Sequence, residues 1–241
     1  MNRSQNRIPT SESDIIRLWK STPPVTRFVF TAICVTSFGA HLGPRKMARH
    51  WHLDFYRVFS KMEVWRLGTS LVVHRLGWGF IALLYRFYKF SSELELRTFN
   101  GRSADYIYFY MITSSIHWAA AYVFDLPILT RSLVMSAMAL WSLRNPSTYI
   151  SLMGVDFKAK YLPGLDIAIQ FLISGAIPLD LMAGFASAYI YNWLEVEYPR
   201  RHRGRRPLRT PPILQRLFPG ESGGRGGWVW STWGRGYRLG G

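Results

Sequence analysis

Cysteine occurs once, acidic residues number 14 against 30 Lys and Arg, and the polar opening holds no compact apolar core with a small-residue cleavage site. Cys34 alone supports neither a disulfide framework nor a thiolate metal site. Among the few acids, Glu93, Glu95 and Asp105 border one polar connection. There they are expected to be solvated or salt-bridged, because carboxylates that work as an acid–base pair need a protected site. Residues 1–24 include Pro23 and Pro24 and are expected to carry no cleavable signal, which leaves targeting to the first apolar run.

What the chain has instead is apolar sequence in runs. Its mean hydropathy of +0.01 averages a polar tail with an aromatic-rich body. From Val25 to Tyr198 apolar segments follow one another, with Trp and Tyr near their ends, the pattern of a membrane protein. Much of the net charge of +16 lies in "PRRHRGRRPLR", residues 199–209, directly after the last run. Basic residues there predict a positive-inside anchor attracted to anionic headgroups, worth about 1 kcal/mol each near the surface. The competing reading, an RNA-binding tail, rests on a single "GGRGG" beside tryptophans.

Six spans are predicted, near residues 27–42, 67–87, 106–124, 126–143, 165–177 and 181–198. An even number places both termini on one side, and the arginines make that side cytosolic. Residues 43–64 mix Arg and Lys with Trp, Phe and Tyr, which suits amphipathic helices embedded in the interface, with long basic side chains reaching headgroups. The second span is interrupted by His74 and Arg75, and the fifth has about a dozen residues before Pro178. Against a hydrocarbon core of about 30 Å, such spans are expected to thin the bilayer or to line a wet cavity.

Catalytic constellations are sparse. An intramembrane serine protease needs a serine at a helix start and a histidine on a facing helix. Ser132, Ser136 and Ser142 lack a glycine–serine turn, the sixth span has no histidine, and "GESG" at residues 220–223 lies in the tail. His117 is expected to pack or line a cavity. His41, His50 and His52 have no acidic or thiol partner at helical spacing and read as interfacial rather than as a metal site. His74 and Arg75 inside a span keep a small-solute transporter in play, and an unrecognised nucleophile keeps an active serine protease in play.

Several short motifs occur in order: "PPVTR" (23–27), "VWRLGTS" (64–70), "FNGRSADY" (99–106), "LRNP" (143–146), "FKAKYLPG" (157–164), "YP" (198–199) and a terminal "WGRGYRLG". Together they resemble the Derlins, rhomboid pseudoproteases of the endoplasmic-reticulum membrane. The resemblance implies an all-α membrane protein, a six-transmembrane-helix rhomboid-like bundle with an embedded first loop and a disordered cytosolic tail. Its parts are a cytosolic lead (1–24), a transmembrane domain (25–199) and a basic tail (200–241). It also implies no catalytic dyad, metal or cofactor, and a role in endoplasmic-reticulum-associated degradation. There, misfolded clients leave through the bilayer with a membrane ubiquitin ligase and a hexameric AAA ATPase, the active unit being a monomer or an oligomer.

Residue by residue, the family's WR pair falls on Trp65 and Arg66, which an interfacial anchor equally explains. Its small-xxx-small motif falls on Gly184 and Ala188, while Gly164 and Tyr189 depart from the family pattern. The end of the chain matches the SHP box at Trp233, Gly234, Gly236, Tyr237, Leu239 and Gly240, which implies docking to the AAA ATPase. Glycines allow a strand to lie close on a partner's sheet while the large side chains fill pockets, and Trp228 and Trp230 extend the tag.

Overall fold

The computed structural model describes residues 19, 22–43, 51–152, 155–202, 208 and 210–218. Prolines and turn residues set the limits of its helices. Helix α1 (Pro24–Leu42) begins with a proline in its first turn, where the missing N–H removes no helical hydrogen bond, and stops at Gly43. A short α2 (Phe55–Ser60) opens on Asp54, whose carboxylate accepts the Arg57 N–H. Next come α3 (Trp65–Val72), an extended link, and α4 (Trp78–Glu93), which runs on through a π-helical turn, Leu94–Thr98. Helix α5 (Ser103–Phe124) ends on Asp125 in the left-handed region, and α6 (Thr130–Arg144) ends just before Asn145-Pro146, as the proline requires. Helix α7 (Leu162–Ser174) closes on left-handed Gly175. Helix α8 (Leu179–Asn192) continues through a second π-helical turn, Trp193–Glu197, into α9 (Tyr198–Arg201), and α10 (Pro212–Leu217) follows in the tail.

Two expectations change. The second predicted span, 67–87, is not one helix: His74 and Arg75 lie in the extended link, so α3 belongs to the first loop and only α4 continues. The all-α expectation also misses an antiparallel hairpin, β1 (Tyr149–Leu152) with β2 (Val155–Lys158), in register Ile150 to Phe157. Its β-branched and aromatic residues favour a pleated ribbon over a polar loop. By length and composition one described helix, α1, is long and apolar enough to cross a membrane.

Helix α6 is the axis. Residues 132–142 are all buried, and α3, α4, α5, α7 and α8 pack around them. The closest approach is to α8, where a Cβ on Gly184 would overlap the Ser132 carbonyl oxygen and come 2.8 Å from Met135 Cβ. Ala188, one turn on, is fully buried on α8. Small residues bring two helix backbones together where apolar burial gives no extra drive.

At the other side of the bundle a single carboxylate ties the first helix down. Glu95, fully buried in the π-helical turn, accepts the Val25 and Thr26 N–H groups at 3.0 and 2.8 Å and the Thr26 hydroxyl at 2.8 Å. It caps α1 from a distance, satisfying N–H groups that no residue within the helix can reach and placing negative charge at the positive end of the helix dipole. From Thr26 a chain of hydroxyls passes through Ser91 and Tyr106 to Tyr110, each step 2.7 or 2.8 Å. The expectation of a solvated Glu95 is therefore corrected, and Glu93 accepts the Trp141 indole N–H at 2.6 Å.

Glu95→Ala is expected to cost about 2 kcal/mol, the scale of a charged hydrogen bond combined with a helix cap, seen as a lower thermal unfolding midpoint in detergent. Gly184→Leu is expected to cost ~3 kcal/mol by forcing α6 and α8 apart. Gly164 has open space around it, so Gly164→Leu should leave the same midpoint in place.

Candidate functional site

The described part of the first loop, residues 51–77, is wedged among α1, α5 and α6 by hydrogen bonds to its backbone. It starts at Trp51, whose ring covers Gly39 so closely that a Cβ there would come 2.6 Å from it. Leu53 N–H donates to the Pro127 carbonyl at 2.9 Å. Arg66, in the first turn of α3, is wholly buried and donates from Nε to Glu63 and from Nη1 to the His52 carbonyl at 2.9 Å. Thr69 donates to the Trp51 carbonyl at 3.2 Å.

The other end of α3 shows why the helix can stop inside the protein. Its last carbonyls lack helical partners and must find others. Ser70 O accepts Leu129 N–H at 2.8 Å, Val72 O accepts the Thr36 hydroxyl at 2.7 Å, and Val73 O accepts the Thr130 hydroxyl. The Trp118 indole N–H adds a bond to Leu67 O at 3.1 Å. Donors from α1, α5, α6 and the segment before α6 thus converge on one eight-residue helix.

The predicted WR pair is split by this arrangement. Arg66 faces inward, fully buried, and its guanidinium binds a loop carbonyl rather than reaching the exterior. Trp65 faces out, and with Tyr56, Phe59, Met62 and Val64 it gives the loop an exposed apolar edge. A solvent-facing edge of this kind marks a surface made for another apolar phase.

Two ionisable groups bear on the clamp. The hydrogen bond from Arg66, with its charge and those of Arg57 and Lys61, holds the Glu63 carboxyl below the usual range against an opposing desolvation. Burial pushes the His52 imidazole below its ordinary value, and the Arg75 and Arg66 charges add to this. A depressed pKa on either group means that the unfolded loop takes up protons first, so stability falls as pH falls.

Nucleophile chemistry finds no opening among the described serines of α6. Ser132, Ser136 and Ser142 donate to the carbonyls of Asp180, Leu133 and Ala159 at 2.7, 2.8 and 2.5 Å, and all three are buried. A Ser–His contact exists that no local pattern announces: His117 Nε2 lies 2.9 Å from Ser187 Oγ, joining α5 to α8. The same hydroxyl lies 2.8 Å from Gly184 O, a second acceptor for its proton within α8. Both residues are fully buried. The pair forms a buried polar contact between α5 and α8 beside Gly184. His41, His52 and His74 share a cavity of about 330 Å3 on the loop side, and among the described residues no group of His, Cys, Asp and Glu is arranged to hold a metal. His50 and residues 220–223 lie outside the described residues.

A larger apolar cleft of about 720 Å3 runs between α1, α3 and α5, from Pro24 and Ser103 at one end to Gly68 and Trp118 at the other. Leu217 and Phe218 of the tail line one side of it, and Thr210 donates to Asp105 at 2.6 Å. The terminal candidates Trp233, Gly234, Gly236, Tyr237, Leu239 and Gly240, with Trp228 and Trp230, lie outside the described residues.

Comparison with known proteins bears on the whole bundle. A family model described as Der1-like matches residues 22–212. A probable derlin-2 homolog of Dictyostelium discoideum is 33% identical over 215 residues, covering 84% of this chain and 82% of its own. Derlin-1 of Drosophila melanogaster is 30% identical, covering 92% and 97%, and Derlin-1 of Homo sapiens is 28% identical, covering 95% and 99%.

Arg66→Ala is expected to destabilise the fold by ~3 kcal/mol by leaving buried partners unmatched, whereas Trp65→Ala should change it by under about 0.5 kcal/mol. Protection of residues 51–72 from hydrogen exchange, taken relative to the intrinsic amide rate at each pH, should fall as pH is lowered from about 6.5, the ordinary histidine value, and His52→Gln should flatten the upper part of that profile.

Proposed function

This chain belongs to the Der1-like family, and from that premise we propose that it is a non-enzymatic membrane factor of endoplasmic-reticulum-associated degradation, helping misfolded proteins leave through the bilayer. The observation that carries this reading is the extent of the family match, residues 22–212, which takes in the loop clamp, the α6 axis and the start of the tail. In this reading the protein is a six-span rhomboid-like bundle over residues 25–199, with both termini cytosolic.

Helix lengths support the mechanism. At 1.5 Å per residue α6 and α7, with 15 and 13 residues, are about 22 and 20 Å long. Both are short of a core of about 30 Å; α6 is enclosed by its neighbours, so it is lipid beside the exposed α7 that thins, and thinning lowers the cost of moving polar groups across. The exposed edge of the loop, with Trp65 at its end, rests in the interface and holds the distortion on one side. Arg66 fixes that edge from within. The buried contact of His117 with Ser187 and the carbonyl-bound serines of α6 favour a scaffold over a hydrolase.

The tail, residues 200–241, is the connection to a motor. In this proposal Trp233, Tyr237 and Leu239 dock on a hexameric AAA ATPase while Gly234, Gly236 and Gly240 let the strand approach, and a membrane ubiquitin ligase acts on the same client. The transport reading rested on His74 and Arg75 within a span, and they lie in the extended link between α3 and α4.

In cells lacking the protein, a misfolded lumenal reporter should persist, with clearance restored by the wild-type chain. Tyr237→Ala with Leu239→Ala should fail to restore it and should weaken binding of a 228–241 peptide to the ATPase N-terminal domain at least tenfold. Unchanged clearance in the knockout would sink the proposal, and unchanged peptide binding would remove the tail from it.

A further inference from the structure

The loop side of the bundle gathers basic side chains that the clamp on α3 does not use. His41 in the last turn of α1, His52 of the first loop, and His74 and Arg75 of the extended link line the cavity of about 330 Å3, with Ser37 and Ile128 beside them. None of the described residues that line it is acidic.

The link is held firmly enough to aim these groups. Its first residue, Val73, donates its N–H to the Thr69 carbonyl at 2.9 Å, and its carbonyl accepts the Thr130 hydroxyl. His74 is fixed in three ways: its N–H donates to Ser37 Oγ at 3.0 Å, its Nδ1 lies 2.8 Å from the Arg75 carbonyl, and its ring stacks on Phe80. Since a carbonyl only accepts, Nδ1 carries a hydrogen and Nε2 is the atom left to take up a proton. The side chains of His41, His52 and Arg75 have no hydrogen bond or ion pair among the described residues. Asp180, a carboxylate whose charge reaches His74, is engaged by Arg131 at 3.1 Å. His52 registers the resulting field: after burial, the charges of Arg75 and Arg66 hold its imidazole below the ordinary value. The link then enters the amino end of α4, where Gly77 has no side chain to cap the first N–H groups and the helix dipole adds positive charge.

We propose that this cavity binds a phosphate group, seated on the Arg75 guanidinium and the imidazoles of His41, His52 and His74. Guanidinium and imidazolium N–H groups make short, charge-assisted bonds to phosphate oxygens, and the planar fork of an arginine takes two oxygens at once. An anion beside the imidazoles favours their charged form, so protonation and binding support each other. The same set disfavours a metal ion, because Arg75 repels it and offers no lone pair. Such a group has two sources, a phospholipid headgroup and free phosphate. Trp78, three residues past Arg75, is exposed at the start of α4, and an exposed Trp at a helix end marks headgroup depth. A bound headgroup would join α1, the first loop and α4 at one point. The site does not depend on the function proposed for the bundle.

The test uses the full chain purified in detergent, with phosphatidic acid and inorganic phosphate as separate probes. Native mass spectrometry counts the lipid retained, and phosphorus NMR line broadening follows the free ion. Wild type is expected to bind at least one of the two. Arg75→Gln with His41→Gln, both at exposed positions, should weaken that binding at least tenfold, with the unfolding midpoint of the unliganded protein unchanged as a check on folding. Arg97→Gln removes an exposed arginine from the turn beyond the far end of α4 and should leave binding in place. Lipid retained where free phosphate fails to bind assigns the site to a headgroup with its chains. Phosphate bound as tightly as the lipid, or bound alone, assigns it to the phosphate group itself. Binding of neither probe, undiminished binding in the double variant, or an equal loss in Arg97→Gln overturns the site.

Discussion

Helices surrounded by acyl chains cannot rely on apolar burial to choose their neighbours, and at several junctions in this bundle a side chain of one element satisfies the backbone of another. Glu95 reaches the start of α1, Ser132 reaches Asp180, Ser142 reaches Ala159, and Thr36 and Thr130 reach the end of α3. An unmatched backbone group would be expensive in such surroundings, so each of these bonds is selective as well as stabilising. Gly184 supplies the complement, a position where one backbone lies directly on another.

The same constraint divides labour within the first loop. Trp65 and Arg66 are adjacent, yet one faces the exterior and the other is sealed among carbonyls and a carboxylate. An interfacial edge can act on lipid only if it is held at fixed depth. A buried guanidinium with backbone partners is a rigid way to hold it, since its planar donors fix direction as well as distance. The loop is accordingly braced by α1, α5 and α6 at once, while α7, packed on α6, leaves most of its surface exposed.

Much of this was legible in the residues. Apolar runs placed α1, α4, α5, α6, α7 and α8, because hydropathy reports directly on which segments avoid water, and Asn145-Pro146 placed the end of α6. The spacing of Gly184 and Ala188 signalled a close approach but not its partner, which depends on how α6 lies. Glu95 was misjudged because a carboxylate in a polar connection looks alike whether it meets water or the N–H groups of a helix 69 or 70 residues away. His117 and Ser187 carried no local pattern, being 70 residues apart and joined only by packing. Arg66 next to an aromatic reads as an anchor, and only the turn of α3 decides which way each side chain points. The hairpin at Tyr149–Lys158 was hidden by its polar surroundings.

The long-range cap on α1 also imposes an order on biosynthesis. Synthesis proceeds from the N-terminus, so α1 enters the bilayer with its first N–H groups unmatched from within the chain until Glu95, 70 residues behind Val25, has been made and the π-helical turn has formed. The first helix inserted is thus among the later ones to be completed.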